Sequence, residues 1–311
     1  MFFTIGLLSR YNSITAAPLV LSALFLPHLG QLSAGKLWRA LLLSCALSPI
    51  TFWGLSSVID RIFHVRREHL FSMIISYDLA GVSAISGSNA FPVEFDSSQM
   101  ERIKNCCQPS GGDFYYSSAS KCGFVKESIE IAHLLGTARL TTWWLSKIAQ
   151  HPLAYPDHRI RAFGSFSRLG YPESYYVIHP GIDENDLGLT YLDSELFNTF
   201  KSYILSVKDE CFMRPWFWLV LNMSVCAIST AHWREPLPCA AVLVSLSGAV
   251  YILSYLPFGI TGDFRYAYWG VLSALAAFFV IAFRARNCPS DHRHRAELTS
   301  FLTIGEASKQ V

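Results

Sequence analysis

Three stretches of this 311-residue sequence carry side chains able to do chemistry. The first is Arg10 with Asn12, in LLSRYNSITAAPLV. An arginine at a helix end that faces a polar cavity is a binding group. A guanidinium snorkelling to a membrane interface gives the same pattern. The second stretch is GITGDFRYAYW. Asp263 and Arg265 are spaced to pair there, and Tyr266, Tyr268 and Trp269 suit an aromatic belt. An arginine in this setting can hold a phosphate through two parallel hydrogen bonds. An ion pair that only orders the loop is the competing reading. The third is WWLSKIAQHPLAYPDHRIRAF, where His151, His158, Arg159 and Arg161 crowd beside Tyr155. Trp143 and Trp144 predict a helix lying on a membrane surface. The two histidines read as surface residues, since neither has a second ligand one helical turn away.

Acidic groups are few outside the middle of the chain. Asp60, Asp78 and Asp263 are the candidates near a membrane face, and no two carboxylates are spaced for acid–base work. Among the eight cysteines, Cys106 and Cys107 are adjacent, which suits no tetrahedral metal site. Neither a metal nor another cofactor is therefore expected. Cys45, Cys226 and Cys239 fall in apolar runs and read as packing residues. In an oxidising compartment, a Cys107–Cys122 disulfide would close a loop worth up to ~3 kcal/mol. No basic patch interleaves with aromatics, which excludes nucleic acid as a partner.

The elements that must carry these residues follow from the distribution of polarity. Half of the chain (51%) is hydrophobic and only 15% is charged. Soluble domains carry about a quarter charged residues. The mean hydropathy is +0.30. Of the 23 acidic residues, 18 lie between Asp60 and Glu210. Apolar runs of membrane-helix character cover about Ile14 to Leu29, Ala40 to Ile59, Trp216 to Ala231, Pro238 to Leu256 and Tyr266 to Phe283. The predicted fold is an α-helical multi-pass membrane protein with about five transmembrane helices. A mixed, partly helical extracytoplasmic domain is inserted between helices two and three. Its segments are an N-terminal membrane part (1–59), the inserted domain (60–213), a C-terminal membrane part (214–284) and a cytoplasmic tail (285–311).

Within the insert, Ser98 and Glu101 read as a capping box for a helix running into Cys106. Phe124 to Ala149 reads as one long helix that His151-Pro152 ends, and Ser194 as the cap of a helix to about Val207. The stretch from Gly164 to Leu189 reads as loop.

Lys36, Arg39, Arg234, Arg284, Arg286, Arg293 and Arg295 fall on one side of a five-span arrangement. The positive-inside rule makes that side cytoplasmic and sets the insert and Asp263 outside. Arg61, Arg66 and Arg67 run against this, but long translocated domains are largely exempt. MFFTIGLLS reads as the last turns of a helix, so the chain is expected to correspond to the C-terminal part of something longer.

RYNSITAAPLVLSAL, SYDLAGVSAISGSNAFP, the W-x6-HPLAYPDHR run from Trp144 and GDFRYAYWG resemble, in that order, bacterial multi-pass glycosyltransferases of the GT-C (family 39-like) type. The resemblance spans most of the chain. It implies the bacterial inner membrane, with the large domain periplasmic and the C-terminus cytoplasmic. It also implies a polyprenyl-phosphate-linked sugar as donor at the outer face. That family's catalytic acid sits in a first outer loop with no counterpart here, so no catalytic residue is carried over. What the resemblance assigns is donor contact by Arg10, Asp263, Arg265 and Tyr266; Asn12, beside Arg10, joins them as a substrate-binding candidate from the residues alone. A non-catalytic membrane protein whose outer domain binds a partner or glycan is the alternative.

Overall fold

The structure is a computed structural model describing residues 13–25, 33–63, 69–107, 122–169, 177–178, 187–190 and 194–287. Arg10, Asn12, Arg293 and Arg295 lie outside the described residues. In order, the helices are α1 (Ser13–Phe25), α2 (Ala34–Phe63), α3 (Leu70–Ser86), α4 (Ser97–Cys106), α5 (Phe124–Ile131), α6 (Ala138–Gln150), α7 (Ala154–Ser167), α8 (Glu195–Ser206), α9 (Pro215–Thr230), α10 (Pro236–Leu253) and α11 (Tyr268–Asn287). A single turn, Tyr255–Phe258, extends α10, and a 3-10 turn, Phe264–Ala267, leads into α11. The insert is thus helical rather than mixed: no strand occurs among the described residues.

Three apolar segments are long enough to cross a membrane: Ala34–Ile59, Pro236–Phe258 and Phe264–Arg284. The other two runs read as spans form shorter helices, α1 and α9, in the same bundle. α10 is its centre, packed by α1, α9 and α11. On α9, Trp218, Asn222, Val225 and Ser229 face inward, one helical turn apart, while Val220, Met223 and Ile228 face out. α2 touches mainly α1 and leaves Trp38, Leu42, Ile50 and Trp53 exposed. Such a surface suits the lipid of a membrane.

The bundle interior is held by small residues and buried hydrogen bonds, as membrane helices need when apolar burial alone gives no preference for protein over lipid. Asn222 donates to the Gly270 carbonyl (2.8 Å), and Ser273 donates to Asn222 Oδ1 (3.1 Å). Gly248 lies against this pair, leaving no room for a Cβ. One bundle end gathers Leu37 and Leu41 of α2, Ala23 of α1 and Cys239 of α10. Arg284 also pairs there with Glu235 through two hydrogen bonds (2.9 and 2.8 Å). Lys36, Arg39 and Arg234 belong to the same end, which therefore collects the positive charge.

The other end carries the helical unit α3–α7. α3 is its axis, with α4, α6 and α7 packed around it. Residues 75–83 of α3 are all buried. α4 begins with a capping box two residues earlier than the sequence suggests, at Asp96 and Gln99 rather than Ser98 and Glu101. Asp96 accepts from Gln99 N (2.8 Å), and Gln99 Oε1 accepts from Asp96 N (3.0 Å). The long helix expected over Phe124 to Ala149 is two helices. His133 and Gly136 take positive φ (53° and 71°), and Thr137 then caps α6. Gly136 also abuts the ring of His69, so neither its backbone angle nor its surroundings admit a side chain.

The disulfide joins Cys106, not Cys107, to Cys122. Cys106 follows buried Ile103 by three residues and so shares its inward face, whereas Cys107 is already the C-cap. Cys107→Ser is expected to keep the bond and Cys106→Ser to lose it, read by alkylation and intact mass. Reduction should lower unfolding stability by about 3 kcal/mol for a loop of this size. Retention of the bond in Cys106→Ser would refute the assignment.

Candidate functional site

Asp78 sits midway along an otherwise uncharged helix, in SYDLAGVSA. Its position on α3 faces α6 and α7, and the carboxylate is wholly buried. A lone buried carboxylate is strongly unfavourable, so the fold must supply partners. Arg159 of α7 meets Oδ1 at 2.6 Å, and Trp144 of α6 donates its indole N–H to Oδ2 at 2.9 Å. Burial pushes the Asp78 carboxyl up to about 6, against the opposing pull of Arg159, its hydrogen bond and that of Trp144. At neutral pH the ion pair therefore prevails.

Arg159 is itself 3% exposed and does two jobs. Its second terminal nitrogen donates to the Gly259 carbonyl (2.7 Å), where the chain leaves the extension of α10. One guanidinium thus ties the axis of the helical unit to the end of the membrane bundle. Its plane also lies near the rings of Tyr77 and Tyr155, at 5.8 and 5.9 Å. Stacking of Phe166 on Tyr255 (3.9 Å between ring centres) reinforces the same junction from further along α7.

His158 is buried, against the expectation of a surface histidine. Its ring packs edge-on to Tyr77 (4.5 Å) and fills the space that the missing side chain of Gly81 leaves. Nε2 stands 3.8 Å from Asp78 Oδ1, with no hydrogen-bond partner among the described residues. Burial, with the neighbouring Arg159 charge, pushes its pKa down to about 3. The imidazole is accordingly neutral, and the Asp78 charge is matched by arginine alone. Arg161 instead pairs at the surface with Asp157.

No protein-family model, curated protein or solved structure matches this sequence.

The loop from Gly259 to Ala267 adjoins this cluster, and Ile260 packs into the core of the helical unit. Asp263 and Arg265 form the ion pair their spacing predicts. Asp263 is largely buried and also accepts from Arg265 N (3.1 Å), which starts the 3-10 turn. Its carboxylate meets Arg265 at Nε; the edge between the two terminal nitrogens is a separate donor edge of the same guanidinium. That side chain is 35% exposed, and it lies over the ring of Tyr266 (5.2 Å). Asp263, Arg265 and Tyr266 are thus one assembly.

Trp144 is turned inward to Asp78, and Trp143 donates to the Ala90 carbonyl (2.8 Å). One face of α6 is therefore packed into the helical unit. Asp60 belongs to α2. No group of three or more metal-ligating side chains occurs among the described residues.

Proposed function

We propose that this chain is an integral membrane protein that binds a polyprenyl-phosphate-linked sugar at the outer membrane face, as GT-C glycosyltransferases do. Arg265 would be its phosphate contact. The observation that carries the reading is the held, partly open guanidinium at the bundle end beside the helical unit. A carboxylate at Nε holds the guanidinium in place, and the edge between its two terminal nitrogens is one that bidentate phosphate recognition can use. Two further features support an outward helical unit. Positive charge collects at the far end of the bundle. The Cys106–Cys122 bond suits an oxidising compartment.

One observation favours binding without transfer. Asp78 and Asp263 are each paired with an arginine, so neither carboxylate is placed to accept a proton. In that second reading the same loop holds the lipid phosphate and the chain performs no transfer.

The test uses purified full-length protein in nanodiscs with polyprenyl monophosphate and, separately, the uncharged polyprenol. Wild type should retain the phosphate in preference. Arg265→Ala should bind it about 10- to 100-fold more weakly, the loss of a charged hydrogen bond worth about 1.5–3 kcal/mol. Arg265→Lys should fall between. Equal retention of both lipids by wild type overturns the proposal. Glycosyl transfer from a polyprenyl-phosphate sugar separates the enzymatic reading from simple binding.

A further inference from the structure

α8 is an amphipathic helix that leaves Leu196, Phe200 and Tyr203 of its apolar face exposed. In ELFNTFKSYILS, Leu196, Phe197, Phe200, Tyr203 and Ile204 recur at helical spacing on one side. Asn198, Thr199, Ser202 and Ser206 occupy the other, with Lys201 at the margin. Leu205 alone of the apolar residues stands off the stripe. Leu196, Phe200 and Tyr203 are 68%, 57% and 62% exposed, and no residue of the helix is buried. Helices of globular domains bury such a stripe against a core.

What covers this stripe follows from where the helix is attached. α9 enters the membrane bundle at Pro215, only nine residues after α8 ends at Ser206. The intervening segment is fixed. Arg168, which caps α7, donates to the Lys208 carbonyl (2.6 Å) and pairs with Asp209 (3.0 Å). Arg214 donates to the Asp209 carbonyl (2.8 Å). Trp218, one turn inside α9, donates to the Phe212 carbonyl (2.6 Å). α8 is therefore anchored at the edge of the bundle, at the end where α9 begins. Phe212, between them, is itself exposed and continues the apolar surface.

We infer that α8 is a membrane-surface helix, lying in the lipid interface with its Leu196–Phe200–Tyr203 stripe against the acyl chains. Continuity with the lipid-facing bundle selects lipid over a protein partner. An interfacial helix inserts its apolar face ~5–10 Å into the boundary between headgroups and chains. Aromatic side chains suit that depth, and Lys201 at the stripe's margin can reach the headgroup phosphates. This inference is independent of the sugar-donor reading, since it requires only the membrane.

The test installs the photoreactive amino acid p-benzoylphenylalanine at Phe200 or at Ser202. The full chain is then placed in nanodiscs of phosphatidylethanolamine and phosphatidylglycerol. After irradiation, Phe200 should give lipid adducts several-fold above Ser202, detected by mass spectrometry. Adducts at Phe200 to residues 170–193 of the same chain, or to a second copy, would overturn the inference, as would equal lipid labelling of both positions. A second measurement guards against a perturbed helix. Phe200→Asp should speed amide exchange of α8 several-fold in nanodiscs and leave α10 unchanged. Unaltered exchange in α8 would also overturn the inference.

Discussion

Asp78→Asn is expected to destabilise the helical unit by about 3–5 kcal/mol, the cost of leaving a buried cation without its counter-charge. Arg159→Met should do the same from the other side, since Asp78 is completely buried and Trp144 supplies only a neutral donor. The informative variant removes both charges. Asp78→Leu with Arg159→Met replaces the pair by apolar groups, which in other buried pairs is often neutral or better. The double variant should therefore recover most of the loss. It will not recover all of it, because the Gly259 carbonyl loses its donor. Urea unfolding of the detergent-solubilised protein, followed through the tryptophans, measures each step. Single variants within about 0.5 kcal/mol of wild type, the range of ordinary surface changes, would refute the assignment of this pair as the junction's anchor.

Gly81→Ala is expected to destabilise although it sits inside a helix. Helix propensity alone predicts a gain of about 1 kcal/mol for this exchange. Packing predicts the opposite, because the new methyl would occupy the ring of His158. That ring cannot swing aside: it is buried against Tyr77. Overpacking of a filled core costs about 1–3 kcal/mol, so packing should win and reverse the sign. The mechanism has a direct check. Gly81→Ala placed in a His158→Ala background should lose its penalty, and the cycle should show a coupling of about 0.5–3 kcal/mol. Additive effects would mean that the two residues do not share one space.

These two positions also show what the sequence reveals and what it does not. The sequence marks Asp78 only as an acidic residue in an apolar run near a membrane face. Its partner, however, is 81 residues away, in a run where Arg159 and Arg161 are both eligible. Only the face of α7 that packs inward decides between them. Gly81 is unremarkable until the histidine opposite is known. Three of the five apolar runs were legible as helices long enough to span a membrane, because a sequence displays apolar composition directly; the other two form shorter helices. The cap at Ser194 was legible because it is local: its side chain accepts from Phe197 N three residues on. Register was harder. The capping box at Asp96, the choice of Cys106 over Cys107, and the inward turn of Trp144 each depend on which helix face meets the core. The break at His133 to Thr137 had its signal in Gly136, but a single glycine does not distinguish a tolerated residue from a left-handed turn. Of the donor-contact residues, Asp263, Arg265 and Tyr266 form a unit because they are neighbours in one turn. Arg10 and Asn12 lie outside the described residues.

The hydrogen bond from Arg159 to the Gly259 carbonyl joins residues 100 positions apart. A ribosome adds roughly 5–20 residues per second, so Arg159 is made about 5–20 s before its acceptor. Throughout that interval α3 and α7 can close on each other through Asp78, but the lower half of the clamp is missing. Assembly of the helical unit is therefore expected to follow synthesis in two stages: an early closure on its own axis, then a docking that waits for the extension of α10. Variants that weaken only the Gly259 contact should leave the first stage intact and lengthen the window in which the unit is open to proteases.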